Sequence, residues 1–179
     1  MNKSTAVGQA AALNANSQRT LASYTNAFPD ADAEALAAHL AVTSTAGFLT
    51  RGIEARIQAL GFELSRPRYT IVRTLYLSPD NAIAQSELAQ VLRVSGPNIT
   101  QLIDGLVAEG WVERVVNPAD RRVVHARLTR EGKQRAARLV PAIVEYMQDS
   151  CNQLSADEQA ELCRLLDKVR LAVERRDQS

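Results

Sequence analysis

Between residues 95 and 128 the apolar pattern changes its period almost without a break. Ile99, Leu102, Ile103, Leu106 and Val107 recur at i, i+3, i+4, i+7 and i+8, the stripe of a helix that buries one face. Ser95 stands at its start as an N-cap and Gly110 stops it. Two β-branched runs follow at once, residues 112–116 and 123–128, joined by Asn117-Pro118-Ala119-Asp120-Arg121-Arg122. The helix turns Pro97, Asn98, Gln101, Asp104, Gly105 and Ala108 outward, and the hairpin displays two adjacent arginines. Few folds place a polar-faced helix directly before a basic hairpin.

The flanking segments narrow the choice. Ser65 and Arg66-Pro67 open an earlier helix with Ile71, Val72, Leu75 and Tyr76 on its stripe, proline sitting where its missing N–H costs nothing. Ser78-Pro79-Asp80-Asn81 is a turn, Ala82-Ile83-Ala84 a short strand, and residues 86–92 a short helix. Helix, helix, helix, hairpin is the order of a winged helix-turn-helix, so the chain is expected to be mainly α with a small β-hairpin wing. Thr129 caps a helix running to about Asn152 with a kink at Pro141, and Ser155-Ala156-Asp157-Glu158 is a capping box opening a last helix to about Arg175.

The resulting organisation has four parts. Residues 1–29, rich in Ala, Asn, Ser, Thr and Gln, read as a flexible N-terminal arm with transient helix around residues 10–24. Residues 30–64 form a long N-terminal helix ended by Gly61, residues 65–135 the winged module, and residues 136–177 the C-terminal helices. The small module cannot bury the apolar faces of the terminal helices, so these are expected to pair with a second copy as dimerisation helices.

Composition excludes several classes. No apolar run approaches the roughly 18 residues of a membrane span, and the N-terminus lacks a signal-type apolar stretch, so cytoplasm is the expected compartment. Two cysteines, Cys151 and Cys163, make no disulfide framework; burial is their simpler reading and redox sensing the alternative. His39 and His125 are isolated, which leaves no metal-ligand spacing, and no cofactor is implied. No glycine-rich phosphate loop or nucleophile motif appears, so catalysis is not expected. Net charge is only +1, but residues 66–135 hold eleven Lys/Arg against seven Asp/Glu, a net of +4. A locally basic module on a near-neutral chain can still meet phosphate.

With those residues in place, the chain resembles the MarR family of transcriptional regulators over residues 64–139. The resemblance runs through Gln85-Ser86-Glu87-Leu88-Ala89, Val94-Ser95, Ile99-Thr100, Asp104-Gly105-Leu106 and Glu109-Gly110-Trp111-Val112. It closes on Asp120-Arg121-Arg122 and Leu128-Thr129-Arg130-Glu131-Gly132. It implies a homodimer on a pseudo-palindromic operator in double-stranded DNA, commonly a repressor released by a small aromatic or anionic effector. Where the family often carries a basic residue, this chain has Gln101 and Gly105. Glycine there reads either as room for a DNA backbone or as plain tolerance.

Candidate contacts follow. Asn98 and Gln101 can pair with adenine edges, and Pro97 lies beside them on the outer face. Ser95 and Thr100 offer hydroxyls that serve either the helix or a phosphate. Asp120 can hold one arginine and aim it outward; Arg122 suits a minor groove and Arg121 phosphate or structure. Trp111 is assigned to the core. Arg66, Arg68, Tyr69 and Arg73 either bind an aromatic carboxylate or simply face phosphate and solvent. The rival functions are a winged-helix protein-interaction module and a ligandless architectural DNA-binding protein.

Overall fold

The computed structural model describes residues 13–116 and 123–176. The chain divides into two compact units, residues 1–55 and residues 56–179. In the first, α1 (Ala15–Ala27) forms where the sequence suggested a mobile arm. The reason is local: the Asn14 side chain accepts from the N–H groups of Asn16 and Ser17 at 3.1 and 3.0 Å, a full N-cap. Asn14 also donates to the Ser44 hydroxyl, which ties α1 to the next helix. That helix, α2 (Ala33–Ala59), starts on the Asp32 carboxylate, which accepts from Glu34 and Ala35. It ends at Gly61, whose φ of +79° allows Phe62 N–H to reach the Ile57 carbonyl and Gly61 N–H that of Gln58.

The second unit is the winged module with its C-terminal helices. Its elements are α3 (Arg66–Leu77), β1 (Ala82–Ala84), α4 (Gln85–Leu92), α5 (Gly96–Ala108), β2 (Val112–Val116), β3 (Val124–Leu128), α6 (Arg130–Asp149) and α7 (Ala156–Arg176). The strands form an antiparallel sheet in the order β1-β3-β2, with Val112 opposite Leu128 and Ala84 opposite His125. Asn81 takes a left-handed conformation (φ 52°) and donates its amide to the Leu75 and Tyr76 carbonyls, closing the end of α3. Its own carbonyl accepts from Leu128 N–H, which draws β3 into place. The helix α6 continues through Pro141 and stops three residues short of the expected end.

The core lies between α3, α4, α5, the sheet and α6 as far as Ile143. Ile71, Val72, Leu75, Leu88, Ile103, Leu106, Leu139 and Ile143 are fully buried there. Trp111 joins them as expected, meeting Phe62 edge-on at 5.4 Å with the Arg135 guanidinium over its ring. By contrast α7 buries none of its residues, and Leu162, Leu165, Leu166, Val169 and Val173 all stand exposed. Cys163 on that helix is exposed and Cys151 half-buried, so simple burial does not hold for them within one chain. Among the described residues, no helix is long and apolar enough to cross a membrane.

One contact fixes the junction between wing and α6. A Cβ placed on Gly132 would stand 1.9 Å from the Trp111 carbonyl oxygen, a backbone atom that cannot step aside. Gly132→Ala is therefore expected to destabilise the fold by about 1–3 kcal/mol or more, the scale of overpacking. Urea unfolding measures it, and a variant as stable as the parent would show that this junction yields.

Candidate nucleic-acid interface

The helix α5 is anchored by Ile99, Ile103 and Leu106, which fixes the face it shows to solvent. Ser95, Pro97, Asn98, Thr100 and Gln101, the predicted contacts on this helix and at its start, are all exposed, with Asp104 beside them. Neither Asn98 nor Gln101 spends its amide on a hydrogen bond to the described residues. Two hydroxyls behave differently. Thr100 donates to the Gly96 carbonyl at 3.0 Å and serves its own helix. Ser95 has the extended backbone of an N-cap and its carbonyl accepts from Ile99 N–H, yet its hydroxyl makes no capping bond.

The approach to α5 is set by Arg93, which ends α4 in the left-handed region (φ 53°) and lets the chain turn within three residues. Arginine there bears a steric cost that glycine would not. Its side chain reaches Glu174 of α7 at 3.4 Å. On the other side, β2 leads into the wing. Arg114 on β2 pairs with Asp104 of α5 at 2.7 Å, and Arg127 pairs with Glu113 across the strands at 2.9 Å. Asp120, Arg121 and Arg122 lie outside the described residues.

The four residues expected for a ligand do not share one face. Arg66, Tyr69 and Arg73 recur at i, i+3 and i+7 and share a face of α3, whereas Arg68 points away from them to Glu109 at 2.5 Å. Tyr69 is buried at 3% exposure, and its hydroxyl has no partner among the described residues. Burial pushes the Tyr69 phenol above its ordinary range, and the nearby Arg73 charge partly opposes this. The Arg73 guanidinium lies 6.0 Å from the Tyr69 ring centre. Among the described residues, no cluster of His, Cys, Asp and Glu has the makings of a metal site.

Sequence reasoning missed the partners of α5. Neither the Arg114–Asp104 pair nor the Arg68–Glu109 pair has a fixed sequence spacing, since each joins two elements. Gly105 was read as room for a DNA backbone or as tolerance, but the space beside it is filled by the Arg68 guanidinium.

A family model for the MarR family matches residues 62–123. Over 112 residues the chain is 30% identical to the uncharacterized HTH-type transcriptional regulator YpoP of Bacillus subtilis, covering 63% of this chain and 78% of YpoP. The chain belongs to the MarR family. It is also 34% identical over 104 residues to the HTH-type transcriptional regulator PrsX of Escherichia coli, covering 58% of this chain and 62% of PrsX, just under two thirds of that relative. Among solved structures, a mutant of Escherichia coli MarR complexed with operator DNA is matched with a TM-score of 0.64 at 26% identity. That match covers 82% of this chain and 96% of the other. The fold expected from the sequence, mainly α with a small β-hairpin wing, is the one observed, with β1 pairing to β3 to make a third strand.

The two hydroxyls at helix starts give a paired test. Thr129 accepts from Gly132 N–H at 2.8 Å and donates to the Gly110 carbonyl at 2.7 Å, so Thr129→Ala should cost about 1–2 kcal/mol. Ser95→Ala removes no capping bond and should change stability by less than about 0.5 kcal/mol. Thermal unfolding of both variants checks the contrast, and equal losses would make Ser95 a working cap.

Proposed function

We propose that this chain is a homodimeric, sequence-specific DNA-binding transcriptional regulator, acting as a repressor by occupying its site without a catalytic step. The observation that carries the reading is the outer face of α5. Its inner face is locked into the core, and it offers Asn98 and Gln101 with their amides uncommitted. A side-chain amide can meet adenine N6 and N7 with two hydrogen bonds, the pairing that a major groove allows. The relative crystallised with operator DNA supports the same use of this fold. In the reading, Ser95 and Pro97 lie at the entry of α5 into the groove, and Thr100 supports it through its own helix. Arg121 and Arg122 of the wing add phosphate and minor-groove contacts, with Asp120 orienting one of them.

The dimer is part of the proposal. The stripe of Leu162, Leu165, Leu166, Val169 and Val173 on α7 leaves apolar surface open over three turns, and its other side is laced by Glu161–Arg164 and Asp167–Arg170 pairs. Such a face finds its partner in a second copy when the operator is two-fold symmetric. A small aromatic or anionic effector would act by favouring a lobe spacing that no longer matches successive grooves.

Selection of bound fragments from random duplex tests the reading, with a salt-dependent mobility shift to separate DNA binding from a pure protein-interaction module. The selected sites should be inverted repeats with half-site centres about 10–10.5 base pairs apart. Inserting about five base pairs at the centre turns one half-site to the far side of the duplex and should abolish specific binding. Direct repeats, or a tolerated insertion, would remove the symmetric dimer. Within one half-site, Gln101→Ala should relax preference at a single position by about 1–3 kcal/mol. A uniform loss across site variants would move Gln101 from base reading to backbone positioning.

A further inference from the structure

Three arginines from three elements converge on the C-terminal half of α5. Arg114 of β2 pairs with Asp104, and its second nitrogen lies 3.5 Å from the Thr100 carbonyl. Arg135 of α6 donates to the Glu109 carbonyl at 3.0 Å, meeting the electronegative end of the helix. Arg68 of α3 donates to the Glu109 carboxylate at 2.5 Å. To reach it, Arg68 passes directly over Gly105. A Cβ on Gly105 would stand 1.9 Å from Arg68 Nη2 and 2.5 Å from Cζ.

Gly105 is not among the residues with positive φ, so the backbone does not ask for glycine there. Glycine within a helix is also costly, which makes its presence a matter of space. The space is taken by a guanidinium whose charge is matched by Glu109 and whose side chain is only 28% exposed. A paired, largely covered cation is poorly placed to meet a phosphate and well placed to hold a helix.

We infer that Arg68 is a positioning residue for DNA recognition, and that Gly105 is glycine so that the Arg68 side chain can cross α5 and fix its C-terminal half. The inference rests on the DNA-binding reading above. Gln101 lies one turn, about 6 Å, before Gly105 on the same helix. Base-edge hydrogen bonds weaken steeply with misalignment, so a helix freed at this end offers Asn98 and Gln101 at the wrong angle. Apolar burial of Ile99, Ile103 and Leu106 keeps α5 in the core, and the directed Arg68–Glu109 pair adds a polar restraint at its C-terminal end.

The test uses Arg68→Met, Gly105→Ala, the double variant and Arg68→Lys in the full chain. Each is measured for binding to a duplex selected by the parent protein and to random duplex over a salt series, and for thermal unfolding without DNA. Each of the first two single variants should lower the selected-over-random ratio roughly tenfold, the loss of about one base contact. The double variant should be no worse than Arg68→Met, because the space that the new methyl needs has been vacated. Arg68→Lys, which keeps a cation for Glu109, should recover part of the ratio. Salt slopes should stay as in the parent. A slope reduced by about one in Arg68→Met would make Arg68 a direct phosphate contact and overturn the inference. So would additive losses in the double variant, or lowered melting with an unchanged ratio. A parent that selects no duplex would sink the DNA-binding reading and this inference with it, whereas a selective parent with indifferent variants sinks the inference alone.

Discussion

The rest of the second unit depends on the backbone junction where Trp111, Thr129 and Gly132 meet. Trp111 N–H closes the end of α5 on the Leu106 carbonyl, while its own carbonyl accepts from Thr129 N–H at the exit of β3. Thr129 then caps α6 through Gly132 N–H and reaches back to Gly110. Four elements are thereby tied within one small volume: α5, both wing strands and α6. Only a glycine at position 132 lets α6 come that close to the Trp111 carbonyl. The angle between α5 and the wing is set here by hydrogen bonds and hard contact, and the polar face of α5 inherits that angle.

A second constraint acts on the surface rather than the core. Single exposed apolar residues are ordinary, but α7 exposes Leu162, Leu165, Leu166, Val169 and Val173 on one side of a helix that buries nothing. A 21-residue helix without tertiary packing is marginal in water, and most helical stability comes from burying a face. The ion pairs Glu161–Arg164, Asp167–Arg170 and Arg170–Glu174 support it only modestly, being exposed and screened. The same helix also touches the turn between α4 and α5, where Glu174 meets Arg93. The C-terminal end of α7 is therefore mechanically close to the start of α5.

How much of this was legible in the sequence follows from the range of each interaction. The 3.6-residue stripe from Ile99 to Val107 located α5, and the β-branched run from Val112 to Val116 gave β2 at its observed bounds, because both are local signals. The capping box at Ser155 and Glu158 was equally local, and the serine hydroxyl and carboxylate meet as expected. The helix α1 escaped because its composition is polar and its cap, Asn14, looks like any loop asparagine until its carbonyl oxygen is seen to take two N–H groups. Ser95 misled in the opposite direction: its type and backbone are those of a cap, but its hydroxyl is left out. Arg68 was grouped with Arg66, Tyr69 and Arg73 by proximity in sequence, although a helix sends adjacent residues to different faces. The exposed set of Pro97, Asn98 and Gln101 was readable from the helical wheel alone; what holds that set at its angle was not.

Residues 66–135 carry a net of +4, and five of their arginines are already paired. Arg68, Arg114 and Arg127 are matched by carboxylates, Arg93 meets Glu174, and Arg135 is shared between Glu131 and the Glu109 carbonyl. A matched pair is close to neutral at the distance of a phosphate, and exposed pairs contribute mainly to geometry. These five arginines are thus spent on holding helices and strands in register. What α5 itself presents to a groove is amide and hydroxyl rather than cation. Phosphate attraction is indifferent to base sequence, whereas an amide on a base edge is not. Under the proposed function, such a module draws little affinity from the charge of α5, and its discrimination depends on how rigidly two amides are held. That dependence is why the arginines that never meet DNA in this reading matter as much as the residues that do.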